Sequence, residues 1–322
     1  MADLNLPGDD RWAREALTKL AFAAVTEQRR ARRWGIFFKL LFFVYLVGLL
    51  VLAWPDNFGA ATVTAAAKNH TALIRIDGLI SSSTEASAKN VIEALRKAFK
   101  DEKTVGVILE INSPGGSPVQ AGEIYDEIKS LRQQHAKIPV YAVASDVCAS
   151  GGYYIAAAAQ QIYANKASIV GSIGVRMDSF GFTDAIAKLG VERRAYTAGS
   201  NKDFLDPFKP VNPAEVQHLQ TMLDAIHQQF IAAVKQGRGE RLKDNPDIFS
   251  GLMWTGEQSI GLGLIDALGN SRSVAEEVIK EKTMVDYTKH TRWLDRLFDS
   301  AETSLSAALR EGLGMEGTTQ WR

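Results

Sequence analysis

Ser150 stands where an apolar run meets two glycines, in the stretch VCASGGYYIAAAA at residues 147–159. Glycine costs about 1 kcal/mol relative to alanine inside a helix, so a pair in the first turn of an expected helix needs a reason. Two readings compete. Either Ser150 caps the helix, as serine commonly does, or it is a nucleophile and Gly151 and Gly152 keep the space beside it clear. A second pair, Gly115-Gly116 in SPGGS, follows another apolar run, and adjacent glycines let backbone N–H groups point into a cleft. Exposed amides beside a helix N-terminus stabilise a developing oxyanion, which acyl transfer requires. Alone, SPGG is also a plain tight turn. Two glycine pairs after two neighbouring strands are harder to dismiss.

A serine hydroxyl becomes a useful nucleophile only when a base takes its proton. Of the five histidines, His70 falls in an expected linker, and His218 and His227 lie on an expected helix. None sits at a glycine-flanked strand end, so a Ser-His-Asp arrangement finds little support. Lysine is the other choice: its ordinary pKa near 10.4 can be brought to roughly 7–8 by burial. Lys202, in YTAGSNKDFLDPF, lies just past an expected strand and precedes Phe204 and Leu205, although most loop lysines are simply solvated. The single cysteine, Cys148, permits neither an intrachain disulfide nor a cysteine zinc site. With no histidine near it in sequence, packing is its expected role.

The elements that must hold these residues follow from the apolar pattern. ALIRIDGLI (72–80), VGVILEIN (105–112) and IPVYAVAS (138–145) read as strands, the latter two as continuous apolar runs suited to burial on both faces. Between them, residues 85–100 carry Val91, Ile92, Leu95 and Phe99 at helical spacing, and Ile124, Ile128 and Leu131 mark a second helix. Further strands are expected at 161–164 and 193–197, with a helix at 183–189 between them. A long amphipathic helix is expected at 213–235. The fold class is α/β with mostly parallel strands, and in such sheets sites collect at the carboxyl ends of strands. No solenoid-type repeat is present.

The 322 residues balance 37 Lys+Arg against 37 Asp+Glu, which gives no electrostatic reason to expect nucleic acid as a partner. Residues 35–54, GIFFKLLFFVYLVGLLVLAW, hold a single charge, Lys39, and as a helix would span about 30 Å, a bilayer core. Trp34 and Trp54 bracket this segment as interface anchors do. It begins too far into the chain to resemble a cleaved signal peptide. Arg29, Arg30, Arg32 and Arg33 precede it and only Lys68 follows before residue 70. The positive-inside rule therefore places the N-terminus in the cytoplasm and the rest outside it. The expected organisation is a cytoplasmic arm at 1–33, a transmembrane helix at 34–54, a linker at 55–70, a catalytic domain at 71–280 and a tail at 281–322.

SPGG, CASGGYYIA, IVGSIGV and AGSNKD, in that order, resemble the signal peptide peptidase A family, with its SohB subgroup. These are membrane-bound serine proteases with a Ser-Lys dyad. The likeness covers residues 72–273, with one copy of the domain. It implies the Clp protease/crotonase-like fold of repeated β-β-α units, preceded by one transmembrane helix. By the same likeness Ser150 is the nucleophile, Lys202 the general base, and Gly115 and Gly116 the oxyanion hole. Ser172 would hydrogen-bond and orient the lysine. No cofactor or metal is implied. The implied partners are peptide substrates (cleaved signal peptides), the lipid bilayer and further copies of the chain, since members of the fold form rings whose sites neighbouring subunits complete. The implied location is the bacterial inner membrane, with the catalytic domain periplasmic. Two other readings stand beside this one: a crotonase-like enzyme acting on acyl-thioesters, which needs neither Ser150 nor Lys202, and a catalytically idle membrane scaffold, which needs a defective dyad.

Overall fold

The computed structural model describes residues 9–52 and 68–289, and the chain divides into two compact units, residues 1–64 and 65–322. The described residues of the first unit form a helix, α1 (Asp9–Leu52). The stretch expected as a cytoplasmic arm is thus helical from Asp9 onward and continuous with the apolar stretch. Residues 40–47 are all apolar and all exposed, so the apolar surface runs round the whole circumference of α1. Among the described residues no helix is long and apolar enough to cross a membrane. The far end of the expected span, most of the linker and the tail beyond residue 289 lie outside the described residues.

The second unit is built on an eight-stranded sheet ordered β6-β5-β3-β2-β1-β8, with β4 beside β3 and β7 beside β4. Its strands are β1 (His70–Asp77), β2 (Thr104–Ser113), β3 (Val140–Ala149), β4 (Gln161–Ala164), β5 (Ile169–Gly171), β6 (Met253–Thr255), β7 (Ala267–Leu268) and β8 (Met284–Asp286). Every pairing is parallel except β5 with β6. The two-residue period of a strand sorts the central side chains. Ile74, Ile76, Val107, Leu109, Ile111, Val140 and Ala142 enter the main core, whereas Leu73, Ile108 and Val143 point to the opposite face. On that second face Tyr163 of β4 lies beside Val143, and Val274 and Ala275 pack over them. Burial on both sides is the reason these strands read as unbroken apolar runs rather than alternations.

The main core is closed by α2 (Ala88–Lys100), α3 (Pro118–Gln134), α4 (Gly151–Ala156) and the end of α6 (Pro213–Arg238), while α5 (Thr183–Lys188) buries no residue. The helix α7 (Gly256–Leu262) starts with a capping box formed by Thr255 and Gln258. Three expectations need correction. Arg193–Thr197 is not a strand but exposed irregular chain. A strand exists only where a ladder partner takes its backbone N–H and C=O groups, and among the described residues no strand pairs with this segment. His70, placed in the linker by sequence, opens β1 and is wholly buried. The sheet also passes residue 280, because β8 pairs with the start of β1.

Candidate active site

Strand β3 delivers Ser150 to the carboxyl edge of the sheet, and α4 begins at the next residue. Ser150 has φ 50° and ψ −121°, a backbone region that side chains with a Cβ rarely enter and that clusters at functional sites. It is held there from both directions. Its N–H donates to Gly171 O at 2.8 Å, and its carbonyl accepts from Tyr154 N at 2.9 Å. The hydroxyl makes no capping bond to α4. A capping serine would use an ordinary extended backbone and an engaged oxygen; Ser150 has neither.

The Gly115-Gly116 turn lies directly against this corner. A Cβ at residue 115 would sit 2.7 Å from both Ser150 Cβ and Gly151 N, and one at residue 116 would sit 2.1 Å from Ile80 O. Only glycine fits at either position, and both adopt positive φ. Ile80 N donates to Gly115 O, and Ser117 N donates to Ile80 O, fixing the turn to the chain that follows β1. Of the two glycine amides, that of Gly115 donates to Ser113 Oγ at 3.1 Å. The Gly116 N–H is unbonded among the described residues and lies 3.3 Å from the position of a Cβ on Gly151. Gly151 N, the first amide of α4, is likewise free, as the opening amides of a helix are. Sequence reading did not single out Gly151 as a donor, although its place directly after the serine was a usable signal.

Ser172 follows Gly171, the residue whose carbonyl holds Ser150, and its own φ is 52°. Its N–H donates to Leu252 O at 2.7 Å, and the carbonyl of the buried Ile173 accepts from His227 Nε2 of α6 at 3.2 Å. The structure therefore gathers Ser150, Gly115, Gly116 and the Ser172 turn at one sheet edge. Lys202 makes no hydrogen bond to any of these residues. It lies on an exposed turn whose N–H donates to Gly199 O at 3.2 Å. Its ammonium has no hydrogen bond or ion pair among the described residues. Phe204 and Leu205 are half-buried without burying it.

Beneath the serine, α4 rests on a polar scaffold that sequence patterns did not disclose. Tyr153 is fully buried and donates to Leu264 O at 2.7 Å. Arg238, also buried, donates to Gly263 O and to Asp266 Oδ2, each at 2.8 Å. Arg241 reaches the other oxygen of Asp266. Burial pushes the Asp266 carboxyl up, but Arg238, the Ile162 N–H and Arg241 outweigh it and hold it below the usual range. Cys148 is fully buried, which pushes its thiol up to about 12 and keeps it protonated and inert. Among the described residues no cluster of His, Cys, Asp or Glu could hold a metal ion.

The family model described as Peptidase family S49 matches residues 132–285, and that of Clp protease matches residues 67–170. A protein of Synechocystis sp., provisionally named a protease, is 30% identical over 84% of this chain and 94% of its own length. The chloroplastic serine protease SPPA of Arabidopsis thaliana is 32% identical over 69% of this chain and 34% of its own length. A Brucella abortus protein named Na(+)/H(+) antiporter NhaA is 44% identical over 77% of this chain and 34% of its own length. The match thus spans about a third of the Brucella and Arabidopsis relatives.

Proposed function

The chain belongs to the SppA-type S49 family of serine proteases, and from that premise we propose that it is a membrane-anchored endopeptidase acting through Ser150 and Lys202 on peptides such as cleaved signal peptides. The observation that carries this reading is the backbone of Ser150: strained, uncapped, and pressed against glycines whose close approach brings the Gly116 and Gly151 N–H groups together beside it. In the proposed reaction, the neutral amine of Lys202 takes the Ser150 proton as Oγ attacks the peptide carbonyl carbon. The N–H groups of Gly116 and Gly151 receive the oxyanion. Collapse of the adduct breaks the C–N bond, the leaving amine takes the proton from Lys202, and an acyl ester remains on Ser150. Water, deprotonated by Lys202, then hydrolyses the ester. Ser172 orients the lysine.

Two further features support the parts of this reading that one chain does not complete. Lys202 is solvent-exposed, and the surrounding segment exposes Met177, Phe180, Leu189, Val191, Tyr196 and Val211. A second copy seated on this arm would bury that surface and desolvate the amine, as a general base requires. In α1, the exposed apolar residues 40–47 suit lipid better than water, which supports a membrane anchor, and the arginines at 29, 30, 32 and 33 are the reason to propose the catalytic unit outside the cytoplasm.

The test is hydrolysis of a fluorogenic apolar peptide by the full chain in detergent. Ser150→Ala and Lys202→Ala are each expected to abolish turnover while leaving the circular-dichroism spectrum unchanged. A well-folded Ser150→Ala chain with undiminished activity would overturn the reading.

A further inference from the structure

The loop that carries Lys202 is tied to α6 by a buried carboxylate. Glu215 lies in the first turn of α6 and is only 7% exposed. It accepts from Leu205 N at 2.9 Å, from Lys209 Nζ at 2.8 Å and from Asn212 Nδ2 at 3.4 Å. Lys209 in turn reaches Asp203, the residue next to Lys202, at 3.1 Å. Leu205 has φ 55°, a left-handed backbone that a leucine adopts only when its surroundings impose it. Farther along the loop, Asp206 pairs with Arg193 at 3.1 Å, and the ring of Phe204 meets that of His218 edge-on.

A glutamate three residues after an asparagine N-cap has a familiar alternative use, which is to reach back to the cap's own N–H and close a capping box. Glu215 does not do this. The cap is made by Asn212 alone, which accepts from Ala214 N at 3.0 Å. The glutamate is directed to the preceding loop instead. Lys209 holds its carboxyl below the usual range, with the Leu205 N–H as the next contributor, so it stays ionised as the ion pair requires.

We propose that Glu215 is a positioning residue for Lys202. Through Leu205 N–H directly, and through Lys209 and Asp203, it fixes the turn that aims the amine at the serine. This rests on the Ser-Lys reading above. An amine displaced by about 1 Å costs on the order of 100-fold in rate without weakening substrate binding, because the effect falls on the alignment of reacting atoms.

The experiment measures kcat and KM separately for the full chain and for Glu215→Ala, Glu215→Gln and Lys202→Ala. Glu215→Ala is expected to lower kcat about 10- to 100-fold with KM within about twofold. Glu215→Gln keeps an oxygen for the Leu205 N–H and is expected to recover most of that loss. Overturning results are a Glu215→Ala chain with wild-type kcat, or one whose loss merely tracks the unfolded fraction and is not rescued by glutamine. The Lys202→Ala arm separates the two claims. If it stays active, the dyad itself is wrong and the role of Glu215 falls with it. If it is dead while Glu215→Ala is fully active, only the positioning role fails.

Discussion

Ser150 combines two costs that a purely structural serine would avoid: a positive φ and an unsatisfied role at the start of a helix. Residues held in such regions cost about 1–3 kcal/mol, and the Cβ is the atom responsible. Removing only the hydroxyl therefore leaves the strain in place, whereas removing the Cβ relieves it. Glycine carries an entropic cost of its own, roughly 0.5–1 kcal/mol, which offsets part of the gain. The expected outcome is that Ser150→Gly is more stable than Ser150→Ala by about 1 kcal/mol in denaturant unfolding, both being inactive. Equal stability would remove the strain argument. Gly115→Ala tests the same corner from the other side. Its Cβ would lie 2.7 Å from that of Ser150, so loss of both activity and stability is expected. Much of this corner was legible in the sequence, because serine next to glycine pairs is a local signal. The loop-fixing role of Glu215 was not legible, since its partners at 205 and 209 are joined to it only by the fold.

Elements with two buried faces were the easiest to read. The unbroken apolar runs of β2 and β3 exist because α2 and α3 cover one side while Val274 and Ala275 cover the other. Three-residue strands such as β6 and β8 are too short to set up any period, and only their partners define them. The segment that follows β8 closes on the start of β1 through a polar clasp that no pattern announced. Buried His70 bonds Tyr287 Oη at 3.0 Å through Nε2, and the Tyr287 hydroxyl donates to Asp101 at 2.7 Å. Burial, followed by the bond to Asp101, pushes the Tyr287 phenol up to about 12. A raised phenol pKa means that the folded state keeps a proton the unfolded chain gives up. The stabilisation is therefore intact below the ordinary value near 10 and is lost as pH rises from there through 12. Thermal unfolding followed across that alkaline range is expected to fall less steeply for Tyr287→Phe than for the native chain. Tyr125 and Tyr153 are also raised by burial and act with the same sign, so the difference between the two proteins is the quantity to measure. Identical slopes would show that the clasp does not hold the phenol.

At the scale of the whole molecule, the proposed dyad turns on the arm from α5 to α6. A chain that buried its own catalytic lysine would pack residues 174–212 on its own core. Instead this arm exposes a run of large apolar side chains, Tyr196 at 91% the most exposed among them. Segments of this kind are normally covered by a partner, and closed symmetric assemblies of identical chains are the commonest way to cover them. If Lys202 serves the serine of a neighbouring copy, the two halves of the dyad can be supplied by different chains. Ser150→Ala retains a good lysine, and Lys202→Ala retains a good serine. Each is expected to be inactive alone. When the two are co-assembled at equal amounts, random mixing gives a working pair at about a quarter of the sites, so activity approaching a quarter of the native level is expected. A dyad formed within one chain allows no such recovery, because every chain in the mixture then carries a broken site. Assembly measured in parallel by sedimentation keeps the result interpretable: mixed oligomers that form and stay inactive would place both residues of the dyad in the same chain.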